Sequence, residues 1–569
     1  MAKNKAGIFV QTDLTIRTYL RKVLLPSLGA SILLFVLISI LSRFVSLSRT
    51  ITIALYAIPV LPLIYGVFYP YATASSKKVK INSKIPFFAT YFAVLSTSDV
   101  SRSELLLNIS REKVLEPISK EMEKAYYLIA KLHRGMPEAL RFLAKRSPSK
   151  VFSDFLERLA YSLDSGVELT DYLLQEQKTV MDDYETFYEG ALYDLDVFKE
   201  VYSSLIISVV FMVTFIIIGP IITGQDIVSL SIFTFVLVLA TEIGVLVIIK
   251  HRMPEDRIWA ENAMIPQRKE KFIRSILISI TGSILLFIVC MLVITPRFDL
   301  PLLIRIALIL TPLAYVGWVL QKEEESIMIK DENFPAFIRS LSSSLAASGA
   351  SMHLVLKYLS SHDFGTLTQD IRNLNRRVSM RIDDSKAWEF FVSDTGSWLI
   401  SIFSEIFKKS IRLGAEPEYI GMVISRNFER LVRLRRKRQQ NVSSFKGVIY
   451  GITGAFAFSV SSAFQVAAYM THLFSNLPIT GDFLQSIIFV PSSSGLQLTS
   501  YILVAILLLH SLLSSLSVKL ADGGHLGITL YQFVVLVWIS AISMYLGEFI
   551  MGKMMTFAGL IWPLMGVGM

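Results

Sequence analysis

Cysteine is almost absent from this chain: Cys290 is the only one in 569 residues, and it lies inside an apolar run. An intramolecular disulfide and a tetra-cysteine zinc site are therefore excluded. Catalytic signatures are missing as well. No Gly-x-Ser-x-Gly nucleophile turn occurs. His133, His251, His353, His362, His472, His510 and His525 show no paired metal-ligand spacing. Residues 547–554, Gly-Glu-Phe-Ile-Met-Gly-Lys-Met, match a phosphate-binding loop up to the last place. There Met554 replaces the hydroxyl that would hold magnesium, and no strand precedes the segment. The expectation is a non-enzyme with no catalytic residue, no metal site and no cofactor.

Charge is also sparse, at 18% of residues against 53% hydrophobic. A soluble enzyme shows fewer apolar runs, and a bare bundle of spans shows fewer charges. Nine stretches are long and apolar enough to cross a bilayer, which takes about 20 residues. They lie near 24–44, 51–72, 203–223, 228–249, 274–295, 300–320, 447–471, 499–518 and 526–549. The tail 555–569 is apolar but short, and reads as re-entrant or interfacial. A basic lead with Lys3, Lys5, Arg17, Arg21 and Lys22 precedes the first stretch, without a small-x-small cleavage pattern. That reads as a retained span.

Lysine and arginine are scarce in alternate loops, and this sets the expected orientation. Loop 224–227 and the long loop 472–498 have neither, loop 45–50 has Arg49, and loop 296–299 has Arg297. Loop 250–273 carries Lys250, Arg252, Arg257, Arg268, Lys269 and Lys271. An inside N-terminus places that loop and both long charged segments in the cytoplasm. The chain then divides into 1–72 with two spans, a first cytoplasmic module 73–202, a four-span region 203–320, a second module 321–446, and a C-terminal membrane region 447–569.

The two charged segments are copies of one cassette. Pro86-Phe87-Phe88 answers Pro335-Ala336-Phe337, and Ser98-Asp99-Val100-Ser101 answers Ser348-Gly349-Ala350-Ser351. Ala139, Phe142, Ser149, Phe155 and Gly166 answer Ala387, Phe390, Ser397, Phe403 and Gly414, all at one spacing of 248. Both copies read as helical bundles, with apolar stripes such as Phe152, Phe155, Leu156 and Leu159, matched by Ile402, Phe403, Ile406 and Phe407. Hydroxyl caps at Ser147-Pro148 and Thr395-Gly396-Ser397 open those helices, and Gly166 and Gly414 close them. A long polar helix leads each copy back into the membrane as one rod. The turn at Ser98-Asp99 must differ from that at Ser348-Gly349. The fold class is all-α: a polytopic membrane protein with about nine transmembrane helices and two duplicated cytoplasmic helical-bundle modules.

Residues 73–202 hold 18 basic and 20 acidic side chains, and residues 321–446 hold 20 and 15, so the second copy is the basic one. The excess is concentrated in Arg430, Arg433, Arg435, Arg436, Lys437 and Arg438, with a looser patch at Arg376, Arg377 and Arg381. Two readings stand: a juxtamembrane collar attracted to anionic membrane lipids, or a docking surface for an acidic partner protein. Nucleic acid is not expected, because no aromatics interleave with the arginines. Inside the spans, Glu242 and Arg305 are candidates for function. A secondary transporter would use Glu242 as a proton or cation carrier. Their depths differ by roughly 13 Å, which argues against a direct pair. Inverted-repeat transporters also duplicate their spans, whereas here both copies face the cytoplasm.

Phe-Pro-Ala-Phe at 334–337 and Ala-Ala-Ser-Gly-Ala at 346–350 resemble the F domain of type II secretion systems. Ser-Pro-Ser-x-x-Phe-x-Asp-Phe-Leu at 147–156, Asp-Ser-Gly at 164–166 and Ala-Asp-Gly-Gly-His at 521–525 resemble its archaeal branch. Two such cassettes among about nine spans are similar to the archaellum assembly platform family, whose relatives serve adhesion pili and type II secretion. The resemblance implies a non-enzymatic platform in the cell membrane. It implies cytosolic modules that engage a hexameric secretion ATPase, and a membrane part that inserts pilin-like filament subunits. It also brings a homodimer into view.

Overall fold

The computed structural model describes residues 7, 11–12, 15–44, 56, 59–98, 100–260, 266–297, 300–349, 351–476 and 493–565. Lys3, Lys5, Arg49 with its loop, most of 51–59, Asp99, Ala350, most of loop 472–498 and the end of the tail lie outside the described residues. Among the described residues no strand forms; a lone bridge pairs Trp259 with Ser397.

Eighteen helices of eight or more residues carry the described fold. The first six are α1 (Leu25–Phe44), α2 (Val60–Ser96), α3 (Arg102–Ser110), α4 (Ile118–Ala130), α5 (Met136–Ala144) and α6 (Lys150–Asp164). Next come α7 (Leu169–Ile218), α8 (Ile227–Arg252), α9 (Pro266–Val289), α10 (Leu302–Leu310), α11 (Leu313–Ser348) and α12 (Met352–Leu359). The last six are α13 (Thr368–Ser379), α14 (Asp384–Thr395), α15 (Trp398–Arg412), α16 (Pro417–Asn476), α17 (Ser493–Asp522) and α18 (Thr529–Met565). The chain forms two compact units: Met1–Phe187 with Ile338–Ser351 and Ile402–Phe428, and Tyr188–Phe337 with Met352–Ser401 and Glu429–Met569. Residues 338–351 and 402–428 of the second charged segment therefore pack with the first segment.

In the first unit, α2 is the hub. Phe88 meets Phe92, Phe152 and Phe155 at ring distances of 5.5–5.7 Å, and Phe87 meets Phe403, which in turn meets Phe428. Such aromatic packing adds about 0.5–1.5 kcal/mol per pair beyond area burial. The buried Asn427 fixes register by donating to Thr90 Oγ1 at 2.8 Å and Gln177 Oε1 at 2.9 Å. Tyr19 and Ser31 bond the carbonyls of Gly66 and Pro59 and hold α1, with the turn before it, against the start of α2.

The second unit contains an apolar core from α7, α8, α10, α16, α17 and α18, with Val213, Val238, Leu303, Phe456, Leu507 and Val537 at its centre. α8 and α17 run parallel: Ser231 meets Thr499 and Glu242 meets His510 at the same sequence separation of 268. Large apolar side chains remain exposed, among them Phe215, Leu285 and Leu292. On the outside of a bundle this apolar, such exposure fits hydrocarbon rather than water.

Seven described helices are long and apolar enough to cross a membrane, and eight if a bent pair counts as one span. The bent pair is α10 and α11, which meet at 46°; Pro312 lacks the N–H that would continue the helix. The chain is a multi-pass membrane protein. Of the nine expected stretches, 51–72 lies partly outside the described residues, and its described end opens α2.

Residues 60–218 and 313–476 run through six helices each, of 37, 9, 13, 9, 15 and 50 residues and of 36, 8, 12, 12, 15 and 60 residues. Pro86 and Pro335 sit inside α2 and α11. Ser149 Oγ accepts from Phe152 N at the start of α6, and Ser397 Oγ from Ile400 N at the start of α15. Each serine also donates to the preceding long helix, Ser149 to Asn82 at 2.5 Å and Ser397 to Asp331. Gly166 and Gly414 then take left-handed φ of +76° and +84°. The residues after them bond back to Ser162 O and Ser410 O, the six-to-one closure of a Schellman turn. Gly349 ends α11 with φ +57°.

Candidate functional site

The arginine run of α16 divides into inward and outward members. α16 turns about 100° per residue, so Leu431, Leu434, Arg435 and Arg438 share its buried face. Arg435 is 7% exposed and joins two carboxylates. Its Nη2 and Nε donate to Asp256 at 2.7 and 3.0 Å, and its Nη1 donates to Asp331 Oδ2 at 2.7 Å. Asp256 lies in the loop after α8, and Asp331 on α11. The other oxygen of Asp331 accepts from Ser397, the cap of α15. One cation thus fastens α16 to three other segments of the second unit.

Burial drives both carboxylates toward the neutral form, and the shared arginine opposes it unequally. Burial pushes Asp256 up, but the charge and hydrogen bonds of Arg435, with Arg438 and Lys519, outweigh it and hold the carboxyl below its usual range. Burial pushes Asp331 up to about 6, because its single arginine contact and Ser397 offset only part of the desolvation and Asp256 repels it. Arg435 loses solvation too, yet Asp256 and Asp331 raise its pKa further still.

Arg438 is 1% exposed and bonds carbonyls instead: Ala521 O at 2.7 Å, Pro254 O at 2.8 Å and Leu520 O at 3.4 Å. Leu520 and Ala521 belong to the last turn of α17, whose unpaired carbonyls form the negative end of the helix dipole. Burial alone would lower Arg438; Tyr188, Asp256 and Asp522 reverse the shift.

Beside it, the Ala-Asp-Gly-Gly-His segment closes α17. Lys519, 1% exposed, bridges to Glu324 Oε1 at 2.7 Å. Glu324 Oε2 accepts from Trp259 Nε1 and from the backbone N–H of His525, both at 2.9 Å. Gly523 and Gly524 take φ of +86° and +75°, and a Cβ on Gly524 would lie 2.6 Å from Glu324 Cδ. Both left-handed turns and the close approach require glycine there. Burial, with Lys519 nearby, lowers the His525 pKa against the pull of Glu324.

The outward members differ. Arg433 is exposed, Arg436 pairs with Glu332 at 2.5 Å, and Lys437 pairs with Glu189. Arg430 is half-buried. In the second patch Arg376 and Arg381 are exposed, Arg381 with φ +57°. Arg377 bridges to Asp394 at 2.5 Å and lies over the Phe390 ring. Reading the run as one docking strip therefore needs correction for Arg435 and Arg438, whose guanidinium groups are consumed inside the fold.

Contacts between α7 and α16 in this unit repeat the sequence spacing of the cassette. Lys437 meets Glu189 at a separation of 248, Asn441 meets Leu192 O at 249, and Asn441 meets Asp196 at 245. Corresponding positions of the two helices therefore touch, as in an isologous interface.

Glu242 sits fully buried between spans. Its Oε1 lies 2.6 Å from His510 Nδ1 of α17, and His510 Nε2 lies 3.1 Å from Thr453 Oγ1 of α16. Sequence reasoning missed His510, because it sought histidines at ligand spacing in the chain, and this partner is 268 residues away. It also missed Asp256, Asp331, Glu324 and Lys519. The charged loop 250–273 and the unusual Lys519 near the end of an apolar stretch were the available signals. Arg305 lies in the first turn of α10, and Cys290 is buried. Among the described residues no group of three or more His, Cys, Asp or Glu could hold a metal ion.

The family described as type II secretion system protein F matches the chain twice, over residues 88–217 and 337–463. A flagella accessory protein J of Methanocaldococcus jannaschii is 38% identical over 545 residues, 95% of this chain and 96% of the relative. Another, from Methanococcus voltae, is 37% identical over 554 residues, 96% of this chain and 98% of the relative. No solved structure matches the chain. With both matched stretches ending in the long helices α7 and α16, and with relatives aligned nearly end to end, the chain belongs to the type II secretion protein F family, in the archaeal branch of flagella accessory protein J.

Proposed function

We propose that the chain is the membrane assembly platform of an archaeal filament machine of the type IV pilus class, coupling a cytoplasmic hexameric ATPase to insertion of pilin-like subunits. The observation that carries this reading is the form of the family-matched stretches. Each begins inside a long helix, α2 or α11, passes through four short helices and ends in one unbroken helix, of 50 residues in α7 and 60 in α16, that runs from charged into apolar sequence. A continuous helix is a natural lever, since its hydrogen-bonded backbone transmits a push along its length.

The names of the two relatives favour an archaellum over an adhesion pilus. The end where α8 and α17 stop is the cytoplasmic one: it holds Arg435, Arg438 and Lys519, and the outer loops are nearly free of lysine and arginine. Family members are assembly components rather than enzymes, which fits a non-catalytic role.

The exposed Arg433, Arg436 and Lys437, with Arg376 and Arg381, form the docking surface for the ATPase. The pairs Arg436–Glu332 and Lys437–Glu189 are about half exposed. Exposed pairs of this kind are worth about 0–1 kcal/mol, so an acidic partner can displace them. Replacing Arg433 and Arg436 with glutamate should leave the protein in the membrane and weaken ATPase binding, more at low salt than at high salt. Unchanged affinity at both ionic strengths would remove the docking claim. A carrier role for Glu242 has less support, because its carboxyl is already engaged by His510.

A further inference from the structure

The membrane part of the second unit holds a polar chain that the platform reading does not use. Tyr202 OH of α7 lies 3.0 Å from Ser514 Oγ, which is 3.4 Å from His510 Nδ1, which is 2.6 Å from Glu242 Oε1. Glu242, His510, Thr453 and Ser514 are fully buried and Tyr202 is 1% exposed. Glu242 Oε2 has no hydrogen-bond partner. The Phe456 ring closes one side, edge to face with the imidazole at 5.2 Å. Glu242 stands ten residues before the end of α8, about 15 Å along the helix.

We propose that Glu242 and His510 form a one-proton binding site inside the membrane, and that the bound proton holds α8 against α17. The two side chains offer three proton counts. With none, the pair is a carboxylate beside a neutral imidazole, net charge −1. With one, it is net neutral, whichever atom carries the proton. With two, it is +1. Among apolar spans an uncompensated charge is costly, so the neutral count is retained. A carboxylate and an unprotonated Nδ1 both accept and would repel at 2.6 Å, so a proton lies between them. The Nδ1–H tautomer of a neutral imidazole supplies that proton at the zero count too, with Nε2 accepting from Thr453, so the burial of net charge, not the hydrogen bond, selects the one-proton count. The proton belongs to the pair, not to one residue.

Few other groups can answer for a titration here. On α7, Tyr202 is the titratable group facing the pair. α16 presents Thr453 and Phe456, α17 presents Ser514, and α18 presents Ser540 to Ser511 of α17. The nearest charged residues along the four helices that form the chain are Glu200 with Lys199, Lys250, Lys446 and Lys519. Those on α8, α16 and α17 stand seven to nine residues away, about 10–13 Å of helix, and Lys199 is one turn from Tyr202. Glu548 lies eight residues beyond Ser540 on α18, and Arg305 is in the first turn of α10.

The test is unfolding of the full chain in mixed micelles, titrated with SDS from pH 4 to pH 9. In the unfolded chain glutamate titrates near about 4.3 and histidine near about 6.5. Above about 6.5 the unfolded chain holds no proton on these groups and the folded one holds one, so the wild-type folding constant should fall about tenfold per pH unit. Glu242→Gln removes the acceptor, leaves a neutral imidazole, and should be flat in that window. His510→Gln forces the proton onto Glu242, so its decline should begin near about 4.3 instead. The double variant should keep only the slope of groups common to all four proteins, Asp331 among them, and that slope cancels in the comparison. Equal slopes for wild type and Glu242→Gln above pH 6.5 would overturn the proposal. If Glu242→Gln does not fold, an unshifted onset in His510→Gln would do the same.

Discussion

Replacing Arg435 with methionine probes the buried clasp most severely. Methionine keeps much of the aliphatic stem and deletes the guanidinium. Asp256 and Asp331, 12% and 1% exposed at the side chain, would then face each other with no cation between them. Removing one partner of a buried pair costs about 3–5 kcal/mol, and here two carboxylates are stranded, so the upper end is expected at pH 7. Acid should restore part of the loss. The variant can refold by protonating its aspartates, and each pH unit toward their pKa recovers up to about 1.4 kcal/mol per proton. Converting both acids to asparagine in the same background removes the stranded charge and should recover most of the stability without any cation. The assay is SDS-titrated unfolding of Arg435→Met, the triple variant and wild type at pH 5 and pH 7. A loss under about 1 kcal/mol at pH 7, with no recovery in acid, would refute the reasoning that Arg435 neutralises two buried charges.

Further expectations concern neighbouring groups. Ser397→Ala should cost about 1 kcal/mol as a lost helix cap, and more than Ser149→Ala, because it also strips a hydrogen bond from the charged Asp331 rather than from the amide of Asn82. Equal losses in thermal unfolding would contradict that ordering. Gly524→Ala places a methyl group against Glu324 at a left-handed φ; a loss of about 1–3 kcal/mol is expected, and an unchanged melting temperature would show that the turn yields freely. Asp331, raised to about 6 in the fold, holds its proton more tightly folded than unfolded, where aspartate titrates near about 3.9. Its contribution is therefore full below about pH 4 and is lost as pH rises through about 6. Asp331→Asn should flatten the stability profile between those values, and an unchanged profile would move the titration elsewhere.

Much of the fold is written locally. Apolar runs mark the spans, and the constant spacing from Ala139 and Ala387 to Gly166 and Gly414 anticipates α6 and α15 and their left-handed glycines; the cap of α6 is Ser149, two residues after the expected Ser147, whose hydroxyl bonds the Ser149 backbone instead. Those signals depend only on nearby residues and on helix periodicity. The arginine run was legible as composition and not as geometry. Arg435 and Arg436 are adjacent and chemically identical, and only the turn of the helix sends one inward to Asp256 and the other outward to Glu332. The partners of the inward arginines lie 82–184 residues away in the chain, where no local pattern links them. The Glu242–His510 pair was hidden for the same reason. The compact units also cross the expected module boundary, since residues 402–428 pack against α2 through Phe87, Thr90 and Asn427. Tertiary burial decided that, where the copies taken singly could not.

The most direct test of the platform reading is electron microscopy of cells lacking this protein, paired with a swimming assay and with rescue by the wild-type chain. The account predicts loss of surface filaments together with motility, both restored on rescue. An unchanged set of filaments on swimming cells would contradict it.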